Sequence, residues 1–250
     1  MTAEELHKAR RASAGALLLA GHRARQLMTR GVDDAIAGAA HELRQRRADE
    51  KRALVLLVLL AAGKRMTAGL AAAIEAGRRQ ARGLAAQRLG AELRAAGVSR
   101  EGSVGLLAGL HIDRMGADAV EATIAAESLA GQWRALASRA VLQAQRLGED
   151  VPAAVSASRE PMQAKIARTA ETEAARAYND EHLERARDML AAGDLPPGAL
   201  LREWSALIDA CEACWPHDGE RTGIDESFSG GEEPGSVHPR CRCSDIIVAA

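Results

Sequence analysis

Gly193-Asp194-Leu195-Pro196-Pro197-Gly198 divides the chain into two stretches that obey different rules. Two adjacent prolines between glycines cannot continue a helix, so whatever helix precedes them stops here. Before this break, Ala, Leu, Arg and Glu dominate, and apolar residues recur every three or four positions, the pattern of amphipathic helices. After it, the periodicity fades and all four cysteines appear. The expected fold is mainly α: a long-helix bundle or hairpin followed by a small α+β, Cys/His-rich C-terminal module.

Working back from the break, the pattern predicts helices over about 160–192, 117–148, 103–115, 64–97, 32–62 and 3–30. Glycine marks several of the expected ends, including Gly97, Gly148 and Gly193, with Asp33 or Asp34 as a cap for the second helix and Ser103 or Asp113 near later starts. Pro152 and Pro161 make 149–160 a hinge, which sets the expected domains at 1–150, a helical region, and 151–250, the Cys/His module. The Leu54–Leu60 run is apolar all round and should lie between neighbours on several sides. Forward of the break, Leu200–Ile208 and Ile246–Val248 read as short strands, and the Gly-, Pro- and acid-rich 216–237 as a loop.

Composition sets further bounds. The 250 residues can form one large domain or two smaller ones. Of the five aromatic residues, Trp133, Tyr178, Trp204, Trp215 and Phe228, four follow residue 170, so the core before that point is built from aliphatic side chains. Trp133 reads as a core anchor, while Trp204 and Trp215 frame the first cysteine pair and should pack against it. Residues 194–250 carry eleven acidic and four basic side chains, leaving an excess of about six positive charges on residues 1–193 of a chain with net charge −1. The apolar run Ala53–Ala62 has ten residues against the roughly twenty of a membrane span, so no transmembrane segment is expected, although its charged flanks also suit a peripheral membrane or hydrophobic-partner contact. Ala14–Ala20 is short and preceded by Glu4 and Glu5, unlike a secretory signal, so a cytoplasmic protein is expected.

Chemistry concentrates at the C-terminus. Cys211-Glu212-Ala213-Cys214 and His238-Pro239-Arg240-Cys241-Arg242-Cys243 supply two pairs of soft ligands separated by a polar loop, the arrangement of a structural zinc site. The second spacing, C-x-C, requires a sharp turn if both sulfurs are to reach one ion, and His238 or His217 could replace a cysteine. Disulfides and free thiols are the alternatives. Asp209 either supports a ligand from the outer shell or is a solvated turn residue, and Arg240 and Arg242 would favour thiolates.

Two other functions compete on sequence. A zinc-dependent hydrolase would recruit His217, Asp218 and His238, with Glu212 or Asp209 as general base, but no H-E-x-x-H, phosphate-loop or Gly-x-Ser-x-Gly element is present. A nucleic-acid-binding module would use Arg44, Arg46, Arg47, Lys51 and Arg52, or Arg78, Arg79, Arg82 and Arg88, against which stand nearby Glu42, Asp49, Glu50 and Glu75 as ion-pair partners. His7, His22, His41, His111 and His182 are scattered on expected helices and read as ordinary residues.

Several pieces then occur in a particular order. Ile166-Ala167-Arg168-Thr169 with Glu171 and Thr172 leads to Ala177-Tyr178-Asn179, followed by Trp204, Asp209, Cys211, Cys214, Gly219, Phe228, Pro234 and His238-Pro239-Arg240-Cys241-Arg242-Cys243. This order resembles the C-terminal part of the phage Mu F-like family of minor head, or head morphogenesis, proteins, with H-P-x-C-R-C as its most specific element. Ala170 is inserted in the Arg-Thr-Glu-Thr pattern, and Pro234-Gly235 stands where Pro-Pro is frequent. The resemblance covers roughly the last 90 residues; residues 1–150 carry no matching motif. It implies a structural virion-assembly protein of a tailed bacteriophage or prophage, present in the host cytoplasm during procapsid assembly and then in the virion head. It implies the portal protein and capsid components as partners, in some relatives packaged DNA through phosphate contacts, and no catalytic reaction or small-molecule substrate. Some relatives carry a toxin domain after the module; with seven residues beyond Cys243, none is expected here.

Overall fold

The structure, a computed structural model, describes residues 3–46, 48–95, 114–193, 195–206, 210–238 and 241–250. Among them run α1 (Ala3–Arg44), α2 (Ala48–Ala95), α3 (Arg114–Leu147), the short α4 (Val151–Ala157) and α5 (Arg159–Ala191), then strands β1 (Leu200–Ser205), β2 (Arg221–Gly223) and β3 (Ser244–Ala249). The mainly α fold with a small C-terminal sheet is therefore as the sequence pattern requires. The expected helix 103–115, with Gly97, Ser103 and Asp113, lies outside the described residues, as does Asp209.

The helix breaks at Gly31 and Gly63 do not occur: α1 and α2 run through both positions. These glycines are packing positions. A Cβ on Gly31 would lie 3.6 Å from the Gly69 backbone, and one on Gly63 would lie 2.7 Å from Arg134 Cδ. They allow helices to approach rather than end, a use of glycine that sequence position alone does not distinguish from a stop. Asp33 accordingly caps nothing and instead accepts from Arg159 at 2.6 Å. Gly148 and Gly193 do terminate helices, at φ 69° and 78°. In the hinge, Asp150 caps α4 by accepting from the Ala153 N–H at 3.2 Å, and Pro152 occupies the first turn, where its missing N–H costs nothing.

The chain forms two compact units that interleave in sequence rather than separating at residue 150: one comprises 24–76 and 117–169, the other 1–23, 77–116 and 170–250. In the first, α1 buries Met28, Val32, Ile36, Ala39 and Leu43 at helical spacing. Trp133 is fully buried and donates from Nε1 to Ser158 Oγ at 2.9 Å, the anchor expected of it. The Leu54–Leu60 run is not surrounded. Val55, Val58 and Leu59 are buried, while Leu56, Leu57 and Leu60 are 62%, 59% and 45% exposed. By length and composition, Leu54–Arg94 is apolar enough to cross a membrane, as core helices of soluble folds also are, and 39% of its most apolar window is buried in the protein. The count of ten consecutive apolar residues missed this longer stretch because it stopped at Lys64.

The second unit holds the sheet, of order β2-β1-β3, antiparallel throughout, with Leu201 opposite Gly223 on one side and Val248 on the other. β1 covers Leu200–Ser205 of the expected Leu200–Ile208, of which 207 and 208 lie outside the described residues, and β2 arises inside the stretch read as loop. Leu200, Ile224 and Ile247 share one apolar cluster with Leu89 and Leu93 of α2 and Ala186 and Met189 of α5. The sheet thus draws its core from α2, far away in sequence, and from the preceding α5, which supply the apolar material that residues 194–250 lack.

Candidate metal centre

Two backbone turns carry the thiols and the imidazole. The Cys214 N–H donates to the Cys211 carbonyl at 3.0 Å, and the Cys241 N–H donates to the His238 carbonyl at 3.0 Å. The second half of the site is therefore H-x2-C with the same three-residue closure as C-x2-C. Cys241 and Cys243 both come within reach of Cys214, so the C-x-C spacing does not keep its two sulfurs apart. Cys243 follows at the edge of β3.

The two clusters meet. His238 Nε2 lies 3.0 Å from Cys211 Sγ and 3.4 Å from Cys214 Sγ, and Cys214 Sγ lies 3.7 Å from Cys241 Sγ. Five donors form two overlapping triplets that could each hold a metal ion, Cys211–Cys214–His238 and Cys214–Cys241–Cys243, with Cys214 common to both. All four cysteines are free thiols, and 3.7 Å is far beyond the roughly 2.05 Å of a disulfide. It does match the edge of a tetrahedral shell, since two sulfurs each about 2.3 Å from zinc stand about 3.8 Å apart.

Burial and polarity around the donors suit a bound cation. Cys214, Cys241 and Cys243 are buried with Trp204 and Phe228, whereas Cys211 is exposed. A hydrogen bond from Cys243 holds the Cys241 thiol down at about 5, and the same contact together with burial pushes Cys243 up. Burial and the nearby Cys241 push Cys214 up to about 12. At Cys211, desolvation is outweighed by hydrogen bonds from the Cys214 and Ala213 backbone and the Cys214 side chain, and its pKa falls. The buried Trp204 indole N–H has no hydrogen-bond partner among the described residues and packs in one cluster with Cys214, Cys241 and Cys243. An orphaned N–H beside three buried thiols is a donor that a metal-bound thiolate would satisfy, so the residues present fit a soft cation.

Other expected participants lie elsewhere. Both His217 ring nitrogens meet carboxylates, Nδ1 with Glu220 Oε2 at 2.6 Å and Nε2 with Glu232 Oε2 at 3.3 Å, while its ring stacks on Trp204 at 4.6 Å. Asp218 accepts from Arg10 at 3.2 Å and from the Ala206 N–H at 2.9 Å. Neither belongs to the donor cluster. Trp204 packs against the thiols as expected, but Trp215 does not, being 54% exposed. Arg78 and Arg82, offered by sequence as phosphate contacts, are buried and paired with Glu173 at 2.7 Å and Glu181 at 3.2 Å. Arg46, two residues past the end of α1, faces Glu42 at 3.8 Å.

Sequence reasoning did not assign the residues that hold the ligand segments in place. Arg202, buried in the central strand, donates to Asp245 at 3.0 Å, to the Glu226 carbonyl at 3.1 Å and to Glu233, and lies over the Phe228 ring at 4.7 Å. Asn179 reaches out of α5 to Pro234, Cys243 and Asp245. The available signal was its place at the end of the Ala177-Tyr178-Asn179 piece of the family resemblance, together with asparagine being a poor helix former. The loop 216–237 is consequently fastened by protein contacts as well as by any metal.

Compared with family profiles, curated proteins and solved structures, the chain matches none.

Proposed function

We propose that this chain is a minor head protein of a tailed bacteriophage or prophage, acting in procapsid assembly at or near the portal, with a C-terminal knob closed by one structural zinc ion. The proposed ligands are four of the five donors Cys211, Cys214, His238, Cys241 and Cys243, with Cys214, common to both triplets, at the centre. Zinc suits this set because it accepts thiolate and imidazole tetrahedrally and without redox chemistry, and four protein ligands leave no open position for a substrate.

One observation carries the reading. The residues that give the sequence its family resemblance are widely spaced along the chain yet converge: Asn179 binds the backbone beside Cys243, Trp204 meets Phe228 edge to face at 5.1 Å, and both aromatic rings pack on the thiols. An ordered motif whose members build one structural knob is what a shared assembly module requires. Co-expression with the portal and capsid proteins of the same prophage tests the role. The chain is expected to sediment with portal rings or procapsids, and its consistent absence from such particles would defeat the proposal. Metal analysis of the reduced protein tests the ion, with about one zinc per chain expected.

A further inference from the structure

We infer that Asn179 is the positioning residue of the metal centre, fixing from α5 the segment that delivers its C-terminal ligands. The inference rests on the metal reading above and goes beyond it by assigning a role to a residue that cannot itself be a ligand in this arrangement. Asn179 lies in the interior of a 33-residue helix and is 6% exposed. Its amide makes three hydrogen bonds, none within the helix. Nδ2 donates to the Pro234 carbonyl at 2.9 Å and to the Cys243 carbonyl at 3.0 Å, and Oδ1 accepts from the Asp245 N–H at 3.3 Å.

The placement of these bonds gives them their consequence. Pro234 precedes the His238–Cys241 turn, and Cys243 and Asp245 follow it. One rigid side chain therefore fastens both ends of the ligand segment, leaving the donors between two fixed points. The amide orientation is dictated by the contacts, since two carbonyls require the NH2 group and one backbone N–H requires the oxygen. Gly235 completes the arrangement. Its φ of +80° disfavours any other residue, and a Cβ there would stand 2.6 Å from Asn179 Nδ2. The segment can come this close to the helix only because position 235 carries no side chain.

The test compares purified full-length wild-type protein, loaded with zinc or with cobalt(II), against Asn179→Ala, Asn179→Asp and Gly235→Ala. Asn179→Asp keeps the acceptor for the Asp245 N–H but sets a carboxylate oxygen against two carbonyls. Gly235→Ala disturbs the same contact from the opposite side. Metal release into excess chelator should accelerate by about 10–100-fold in each, the range seen when outer-shell partners are removed. The cobalt spectrum should shift while helical circular dichroism is retained. Met189→Ala is the control, because it removes apolar packing in the same unit without touching the ligand segment.

If Met189→Ala, matched for loss of thermal stability, accelerates release as much as Asn179→Ala, the positioning role is overturned. Wild-type release rates and an unchanged cobalt spectrum in Asn179→Ala and Asn179→Asp overturn it equally. Should one Asn179 variant fail to fold, the other and Gly235→Ala decide. A wild-type protein that takes up no metal sinks the metal reading itself, a result distinguishable from a metal-binding wild type with indifferent variants.

Discussion

The unit formed by 24–76 and 117–169 and the sheet-bearing part of the other unit reach stability by opposite means. The first buries mainly aliphatic side chains and one tryptophan bonded to Ser158, and most of its order comes from non-directional packing along helices. The second buries Arg202, Glu203, Asp245, Asn179, His182 and Glu92, and its order comes from directional bonds that fail if a single partner is lost. Packing of the first kind tolerates substitution in proportion to volume. Polar construction of the second kind is intolerant, and it is also what gives a ligand site fixed geometry.

The largest expected effect comes from Cys214, the donor common to both triplets. Cys214→Ser should lower metal uptake from about one ion per chain to a negligible fraction and expose the C-terminal region to proteolysis, while helical circular dichroism persists. Loss of helical signal in parallel with the metal would erase the contrast between the regions. Next is Arg202→Met, which strands the Asp245 carboxylate in the interior and is expected to cost about 3–5 kcal/mol in urea unfolding. Adding Asp245→Asn should recover part of that loss. A double variant no better than the single one would mean that the pair does not act as a unit.

How much of this was legible in advance follows the same division. Helix existence was readable because alanine and leucine repeat at the helical period, and the meeting of the two cysteine clusters was readable because C-x2-C and H-P-x-C-R-C call for a common ion. Two adjacent isoleucines and a valine marked β3. Gly31 and Gly63 misled, since a glycine that admits a neighbouring helix is written in the same letter as one that ends its own. β2 went unseen because three residues, Arg221–Gly223, are too few to show alternation. Arg202 and Asp245 were unreadable as core residues because charge predicts exposure unless the partner is known, and their partners lie more than 20 residues away in sequence. The hydrogen bond from the Cys241 N–H to the His238 carbonyl was hidden by the more conspicuous C-x-C spacing.

A smaller effect is expected from pH. His182 is fully buried with Glu92 at 2.9 Å; burial, which would lower its pKa, is outweighed by the carboxylate, so the folded value is raised. Asp245, facing Arg202, His182 and Glu233, is raised by burial to about 6. Both groups bind their protons more tightly when folded. Asp245's contribution is therefore complete below its unfolded value of about 3.9 and fades as pH rises through about 6. That of His182 is complete below about 6.5 and is lost as pH rises through its higher folded value. Cys241, whose thiol is held low, contributes the opposite slope, so the directions are read from differences rather than from the whole curve. In metal-free Cys214→Ser protein, the stability lost on adding His182→Gln should be largest below about pH 6.5 and shrink as pH rises above it. A difference that grows with pH would contradict the direction assigned to His182.

The smallest effect, that of Leu57→Gln set against a core truncation two residues away, tests the aliphatic region where the sequence reading failed. Leu57 and Leu59 are two residues apart in one apolar run, yet Leu57 is 59% exposed and Leu59 is 2% exposed. If packing is one-sided there, Leu59→Ala should cost about 2–5 kcal/mol as a core truncation. Leu57→Gln should change stability by less than about 0.5 kcal/mol, as surface substitutions do. Sequence alone assigns the two leucines the same burial, so equal losses in chemical unfolding would restore the enclosed helix and remove the exposed stripe of Leu56, Leu57 and Leu60. A neutral Leu57→Gln that also weakens sedimentation with portal rings would go further and identify that stripe as part of the surface used in assembly, joining the aliphatic unit to the function proposed from the polar one.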